Sequence, residues 1–171
     1  MLLLQRITVK DFDLASTVES GQLFRWQKQE NGYVIAHRDE LFYAEQKGNT
    51  LSFRGTTKKY IKTFFGLNID YAAIKKTLAH DSILRKAVKA YPGIHLVNQD
   101  PWECTISFLC SSFSNIKKIQ LNLRKIVECF GIDGAFPVPG TIDNHHTIKA
   151  CSTGYRSAYI FAVNSKVDDA Y

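Results

Sequence analysis

The chain has no CxxC pair. Its four cysteines, Cys104, Cys110, Cys129 and Cys151, stand at wide and irregular intervals. That spacing excludes a thiolate zinc site and a disulfide framework, and no metal is expected. Cys104 and Cys110 lie in apolar helical text, where a free thiol serves as a small hydrophobe; unpaired thiols fit a reducing compartment. No apolar run approaches the length that spans a bilayer. The opening MLLLQRITV has neither a charged leader nor a long apolar segment, so neither a signal peptide nor a membrane partner is expected. Repeats and low-complexity linkers are missing as well. Acidic residues are the minority charge, 16 against 22 Lys+Arg, for a formal net charge of +6. A basic balance favours a polyanionic partner without requiring one.

What is present is enough for a core. Apolar residues make up 45% of 171 positions, a length suited to one domain or two small ones. Before residue 56 the text is strand-like. LFRWQK (23–28), YVIAH (33–37), LFYAEQ (41–46) and TLSFR (50–54) alternate with period two. Asn/Gly/Asp clusters separate them, which predicts an antiparallel meander. Phe24 and Trp26 share a face and are expected in the core; Arg25 points the other way, either to a pocket or to solvent.

After residue 56 the period becomes helical. Tyr60, Ile61, Phe64 and Phe65 form one stripe, with Gly66 as a stop. Asp70 caps a helix with Tyr71, Ile74 and Leu78 inward. A further stripe holds Ile83, Leu84, Ala87, Val88 and Tyr91 before Pro92-Gly93. The strongest start is DPWE: Asp100 as N-cap, Pro101 in the first turn, Glu103 closing a capping box. The helix after it, WECTISFLC, is apolar on most sides and should be buried. Ser114 or Asn115 then caps a helix with Ile116, Ile119, Leu123, Ile126, Val127 and Phe130 on one face. Its other face carries Lys117, Lys118, Arg124 and Lys125, whose default reading is a solvated surface. A shorter helix is expected near 142–151 and a last one from Tyr155. The predicted class is α+β: an antiparallel sheet with packed helices over 1–98, then a helical unit over 99–171.

Three motifs in order, SGQLFRW (20–26), QDPWECTISFLCSSFSNI (99–116) and TGYRSAY (153–159), together resemble the 8-oxoguanine DNA glycosylase family over nearly the whole chain. The resemblance implies a TATA-binding-protein-like N-terminal sheet, then the first helices of a helix-hairpin-helix glycosylase domain. It implies base flipping and reading of the extruded base in a pocket. Gly21 and Gln22 inherit lesion recognition. The Gly21 carbonyl would sense the extra ring proton of the oxidised base, and glycine lets the backbone come close. Tyr155 would wedge beside the opposite base and Arg156 would hydrogen-bond it. Phe113, Ser114 and Asn115 would enter the duplex, and Asn115 is equally an N-cap. Lys118 would meet cytosine or phosphate. Tyr159 is expected in the core.

The sequence departs from the family at two of these positions. Phe113 stands where the family carries an asparagine that holds the orphaned cytosine. An aromatic can plug a vacated stack but cannot make those hydrogen bonds. Lys118 stands for an arginine and lacks its planar fork. The catalytic hairpin is not found either. VPGT (138–141) lacks a second glycine and precedes Tyr155–Arg156. No catalytic residue is therefore assigned: the nucleophilic lysine and the aspartate would lie beyond Tyr171, and the ending VNSKVDDAY reads as a cut through ordinary sequence. The expectation is the N-terminal part of a bifunctional 8-oxoguanine DNA N-glycosylase/AP lyase, inactive by itself. The alternatives are a stand-alone, non-catalytic damaged-DNA-binding module or an alkylated-base glycosylase; Gly21 argues against the latter. The expected partner is double-stranded DNA containing 8-oxoguanine, bound by a monomer without a cofactor. The setting would be intracellular and reducing, in cytoplasm and nucleoid or in a nucleus according to the source organism.

Overall fold

The computed structural model describes residues 3–167; residues 168–171 of the VNSKVDDAY ending lie outside the described residues. Two compact units are found. The first comprises residues up to Ile35 with Leu41–Asn98, the second Ala36–Glu40 with Gln99 onward. No helix among the described residues is long and apolar enough to cross a membrane.

The first unit is built on an antiparallel sheet. Its strands are β1 (Gln5–Thr8), β2 (Trp26–Lys28), β3 (Tyr33–His37), β4 (Glu40–Lys47) and β5 (Thr50–Arg54), in the order β1-β5-β4-β3-β2. The meander β2 to β5 follows from alternation and turn residues. Strand β1 has one strong apolar residue, Ile7, in four. It forms because β5 offers an edge at long range, with Gln5 opposite Phe53 and Thr8 opposite Thr50. Strand β2 begins at Trp26 rather than Leu23. Leu23 and Phe24 are consecutive and both buried, which a two-residue period cannot achieve, so the chain is irregular there. Trp26 is only half-buried. Its indole Nε1 donates to the Leu23 carbonyl at 3.0 Å, and its ring meets Tyr33 edge-on at 5.7 Å.

Helix α1 (Leu14–Val18) is capped by Asp13, whose side chain accepts from the Ser16 N–H. Helix α2 (Lys58–Phe64) starts at the Thr57 cap and buries Ile61 and Phe64. Phe42 of β4 meets Phe64 edge-on at 5.5 Å, and Phe12 meets Phe65 at 5.2 Å. Such pairs add to the area they bury. Helices α3 (Tyr71–Leu78) and α4 (Ser82–Ala90) form behind Asp70 and Asp81 as N-caps. Their apolar stripes do not turn inward as expected: Ile74, Leu78, Ile83, Leu84 and Tyr91 are exposed. Periodicity and caps are local properties and suffice for a helix; a buried face also requires a partner surface.

The second unit holds α5 (Pro101–Ser111), α6 (Ile116–Phe130), α7 (His145–Ile148), a π turn (Lys149–Thr153) and α8 (Arg156–Asn164). Its core includes Trp102, Ile106, Leu123, Ile126, Ile142 and Ile160. Asp100 caps α5 by accepting from the Glu103 N–H at 2.8 Å. The capping box is only half made. Buried Glu103 accepts from the Arg38 N–H at 2.7 Å, and the Asp100 N–H donates to His37 Nε2 at 2.7 Å. Helix α5 buries one face, while Phe108 on the other is exposed. Tyr159 is exposed rather than in the core; Arg156, Ser157 and Ile160 take the inward positions of α8.

Candidate functional site

The SGQ stretch stands on anchored supports. Helix α1 ends at Val18, and the next residue, Glu19, is tied to the β2–β3 hairpin. Its carboxylate accepts from Lys28 Nζ at 2.8 Å and from the Tyr33 hydroxyl at 2.6 Å. These two hydrogen bonds, Lys28 first, hold the Glu19 carboxyl below its usual range. Ser20 Oγ donates to the Thr17 carbonyl at 2.8 Å. On the other side the Gln22 carboxamide is fully engaged. Its Nε2 donates to the His95 carbonyl at 2.8 Å and to Thr17 O at 3.3 Å, and its Oε1 accepts from the Val97 N–H at 2.8 Å.

Gly21 lies between these anchors. Its φ is +86°, and a Cβ built there would meet no heavy atom within 4 Å. The glycine is thus required by backbone conformation and not by packing. Among the described residues none hydrogen-bonds the Gly21 main chain. The peptide group is half-buried, so its carbonyl is open to a donor from outside the fold, water included. Arg25, four residues on, is half-buried and not freely solvated.

His95 completes the support. Its Nδ1 lies 3.0 Å from the Phe65 carbonyl and its Nε2 3.0 Å from that of Asp11. Its ring stacks on Tyr71. Burial holds the imidazole below its ordinary value; the two carbonyls and Asp11 oppose that shift, and Lys75 reinforces it. Because the folded value lies below the unfolded one, near 6.5, the unfolded chain takes up the proton first. Stability from this group is present above about pH 6.5 and is lost as pH falls through the folded value. The urea midpoint of the chain should therefore be lower near pH 5.5 than near pH 7.5. His95→Gln should shrink that difference; an unchanged difference would remove His95 as its source.

In the second unit the structure brings Phe113, Ser114, Asn115, Lys118, Tyr155 and Arg156 together around the loop between α5 and α6. Asn115 is the N-cap of α6, its Oδ1 accepting from the Lys118 N–H at 3.0 Å. Ser114 Oγ is buried and has no partner among the described residues. Arg156 is buried, and its guanidinium is spent on the loop. Nε donates to the Ser112 carbonyl at 2.8 Å, and Nη2 donates to the same carbonyl and to that of Phe113 at 3.1 Å. Nη1 donates to Thr153 O at 3.3 Å. The Tyr155 ring lies 4.7 Å from the guanidinium carbon, and its hydroxyl reaches Ser112 Oγ at 3.3 Å. Lys117 is exposed and Lys118 half-buried at the first turn of α6.

Burial pushes the Cys110 thiol up to about 12, as expected of a small hydrophobe. A cavity of about 530 Å³ in the second unit is lined by Arg38, Asp100, Trp102 and Phe136 among others and contains none of the loop residues. Among the described residues no cluster of His, Cys, Asp and Glu could hold a metal ion. Sequence reasoning missed Thr17, Glu19, His95, Ser112 and Thr153. They act through contacts that are distant in sequence or through backbone carbonyls, and neither leaves a residue pattern.

Comparison with known proteins gives a consistent result. A family model described as "8-oxoguanine DNA glycosylase, N-terminal domain" matches residues 5–105. An N-glycosylase/DNA lyase of Saccharomyces cerevisiae is 25% identical over 94% of this chain, which spans about half (51%) of that relative. An apo 8-oxoguanine glycosylase/lyase of Clostridium acetobutylicum superposes with a TM-score of 0.88 at 25% identity, over 98% of this chain and 66% of that one. The same enzyme with double-stranded DNA containing cytosine opposite 8-oxoG gives 0.86 at 25% identity, over 97% and 64%. MBOgg1 in complex with a low-affinity DNA ligand gives 0.87 at 29% identity, over 97% and 65%.

Proposed function

Since the chain belongs to the 8-oxoguanine DNA glycosylase family, whose N-terminal domain matches residues 5–105, we propose that it serves base-excision repair as the lesion-recognising part of an 8-oxoguanine DNA N-glycosylase/AP lyase. The observation that carries this reading is Gly21: a main chain at positive φ, open on its Cβ side and without an internal hydrogen-bond partner, between two anchored residues. A carbonyl in that position accepts a hydrogen bond from the ring N–H of the oxidised base and meets only a bare, lone-pair-bearing ring nitrogen in guanine. Gln22 acts as a positioning residue, since its amide is already spent within the fold. Arg156 likewise positions the loop that meets the duplex, in place of the direct base contact implied by the family. Tyr155 stands beside it, and Lys117 and Lys118 offer charge to phosphates. The protein acts as a monomer in a reducing intracellular compartment, a setting supported by four free thiols.

Excision coupled to strand cleavage through a Schiff base needs an amine nucleophile. These 171 residues contain no L-P-G-x-G turn followed by a Lys/Asp pair. The 171-residue chain should therefore bind a duplex containing 8-oxoguanine more tightly than its guanine counterpart and yield no borohydride-trapped adduct. Its affinity should fall with salt, log K declining by about 0.9 per phosphate neutralised against log salt. Equal affinity for the two duplexes would overturn the recognition reading. A trapped adduct would overturn the inactivity of this chain.

A further inference from the structure

We propose that Phe113 is a stacking wedge that enters the duplex beside the extruded base and leaves recognition indifferent to the base opposite the lesion; the proposal rests on the DNA-repair reading above. Phe113 is 99% exposed, although a turn alone would be served by a small polar residue. Its φ is +46°, a region that aromatic residues rarely enter and where they bear strain. The loop is held from behind. Arg156 grips the carbonyls of Ser112 and Phe113, Tyr155 reaches Ser112, and the Ser114 N–H donates to Ser111 O at 3.1 Å. The side chain is presented on a fixed support.

Its surroundings identify the occupant. Lys117 and Lys118 follow on the first turn of α6, and Tyr155 is exposed beside the loop. An apolar ring flanked by cations matches a gap in a base stack flanked by phosphates. A purely apolar protein surface would not match the cations. A phenyl ring stacks on any base because every base has a π-face. It carries neither donor nor acceptor, so it cannot read the edge of the opposite base. A wedge of this kind keeps the duplex open without selecting a partner for the lesion.

The test uses the 171-residue chain and duplexes with 8-oxoguanine opposite each of the four bases, with 2-aminopurine next to the lesion to report unstacking. The four affinities should agree within about threefold, less than one bidentate base contact would produce. Phe113→Ala should weaken all four by about tenfold and abolish the 2-aminopurine signal, while Phe113→Trp should restore both. Unchanged affinity and signal in Phe113→Ala, with salt-dependent binding intact, would overturn the wedge and leave the repair reading standing. A preference above about tenfold for one opposite base would overturn the indifference. Loss of lesion preference by the unaltered chain on every duplex would remove the repair reading and this proposal together.

Discussion

In the longer enzyme proposed above, Gly21→Val should reduce 8-oxoguanine excision about 5- to 150-fold, the effect of spoiling one recognition hydrogen bond worth ~1–3 kcal/mol. Binding to undamaged duplex should change far less, because it depends on phosphate contacts elsewhere. The reasoning is steric and conformational. A Cβ at this position has room, since nothing lies within 4 Å. A β-branched side chain at φ +86°, however, costs about 1–3 kcal/mol of strain and pushes the backbone toward negative φ. Either response moves the carbonyl or covers it. Gly21→Ala separates the two effects: it carries most of the backbone strain and little of the bulk. If both variants lose duplex binding and excision to the same degree, Gly21 is a folding position and not a sensor.

Arg156→Ala should destabilise the second unit by about 2–4 kcal/mol, in the range expected when a buried hydrogen-bond network is broken. The guanidinium is the common donor to the carbonyls of Ser112, Phe113 and Thr153. Without it the loop between α5 and α6 loses its attachment to the π turn. Affinity for duplex should fall about tenfold or more at the same time, as an ordered loop becomes one that must be ordered on binding. Arg156→Lys should behave much like Ala, because an ammonium cannot reproduce the planar fork. The urea midpoint decides between roles. An unchanged midpoint with weakened DNA binding would show that Arg156 acts by touching DNA and not by holding the loop.

Much of the fold was legible because its signals are local. Strands β3, β4 and β5 follow from alternation bounded by Asn/Gly/Asp. Helix α5 follows from Asp100-Pro101, and α6 from the spacing of Ile119, Leu123 and Ile126. Where the reading missed, the cause was non-local. Strand β1 exists through its pairing with β5. The stripes of α3 and α4 match helical period yet remain exposed. Tyr159 has the spacing of a core residue and sits on the outer face of α8. Glu103 has the sequence of a capping-box partner, but the nearby Arg38 N–H takes its carboxylate.

The candidate site divides the same way. Residue type and order alone determined the family, the glycine at position 21 and the aromatic at position 113. Chemical identity is written residue by residue and survives without coordinates. Only the tertiary structure decided that Gln22 is spent on His95 and Val97, that Arg156 faces the loop, and that Phe113 stands fully in solvent. Those outcomes depend on which donors and acceptors fold into reach of one another. A buried carboxamide or guanidinium must satisfy its hydrogen bonds with whatever the rest of the chain brings to it.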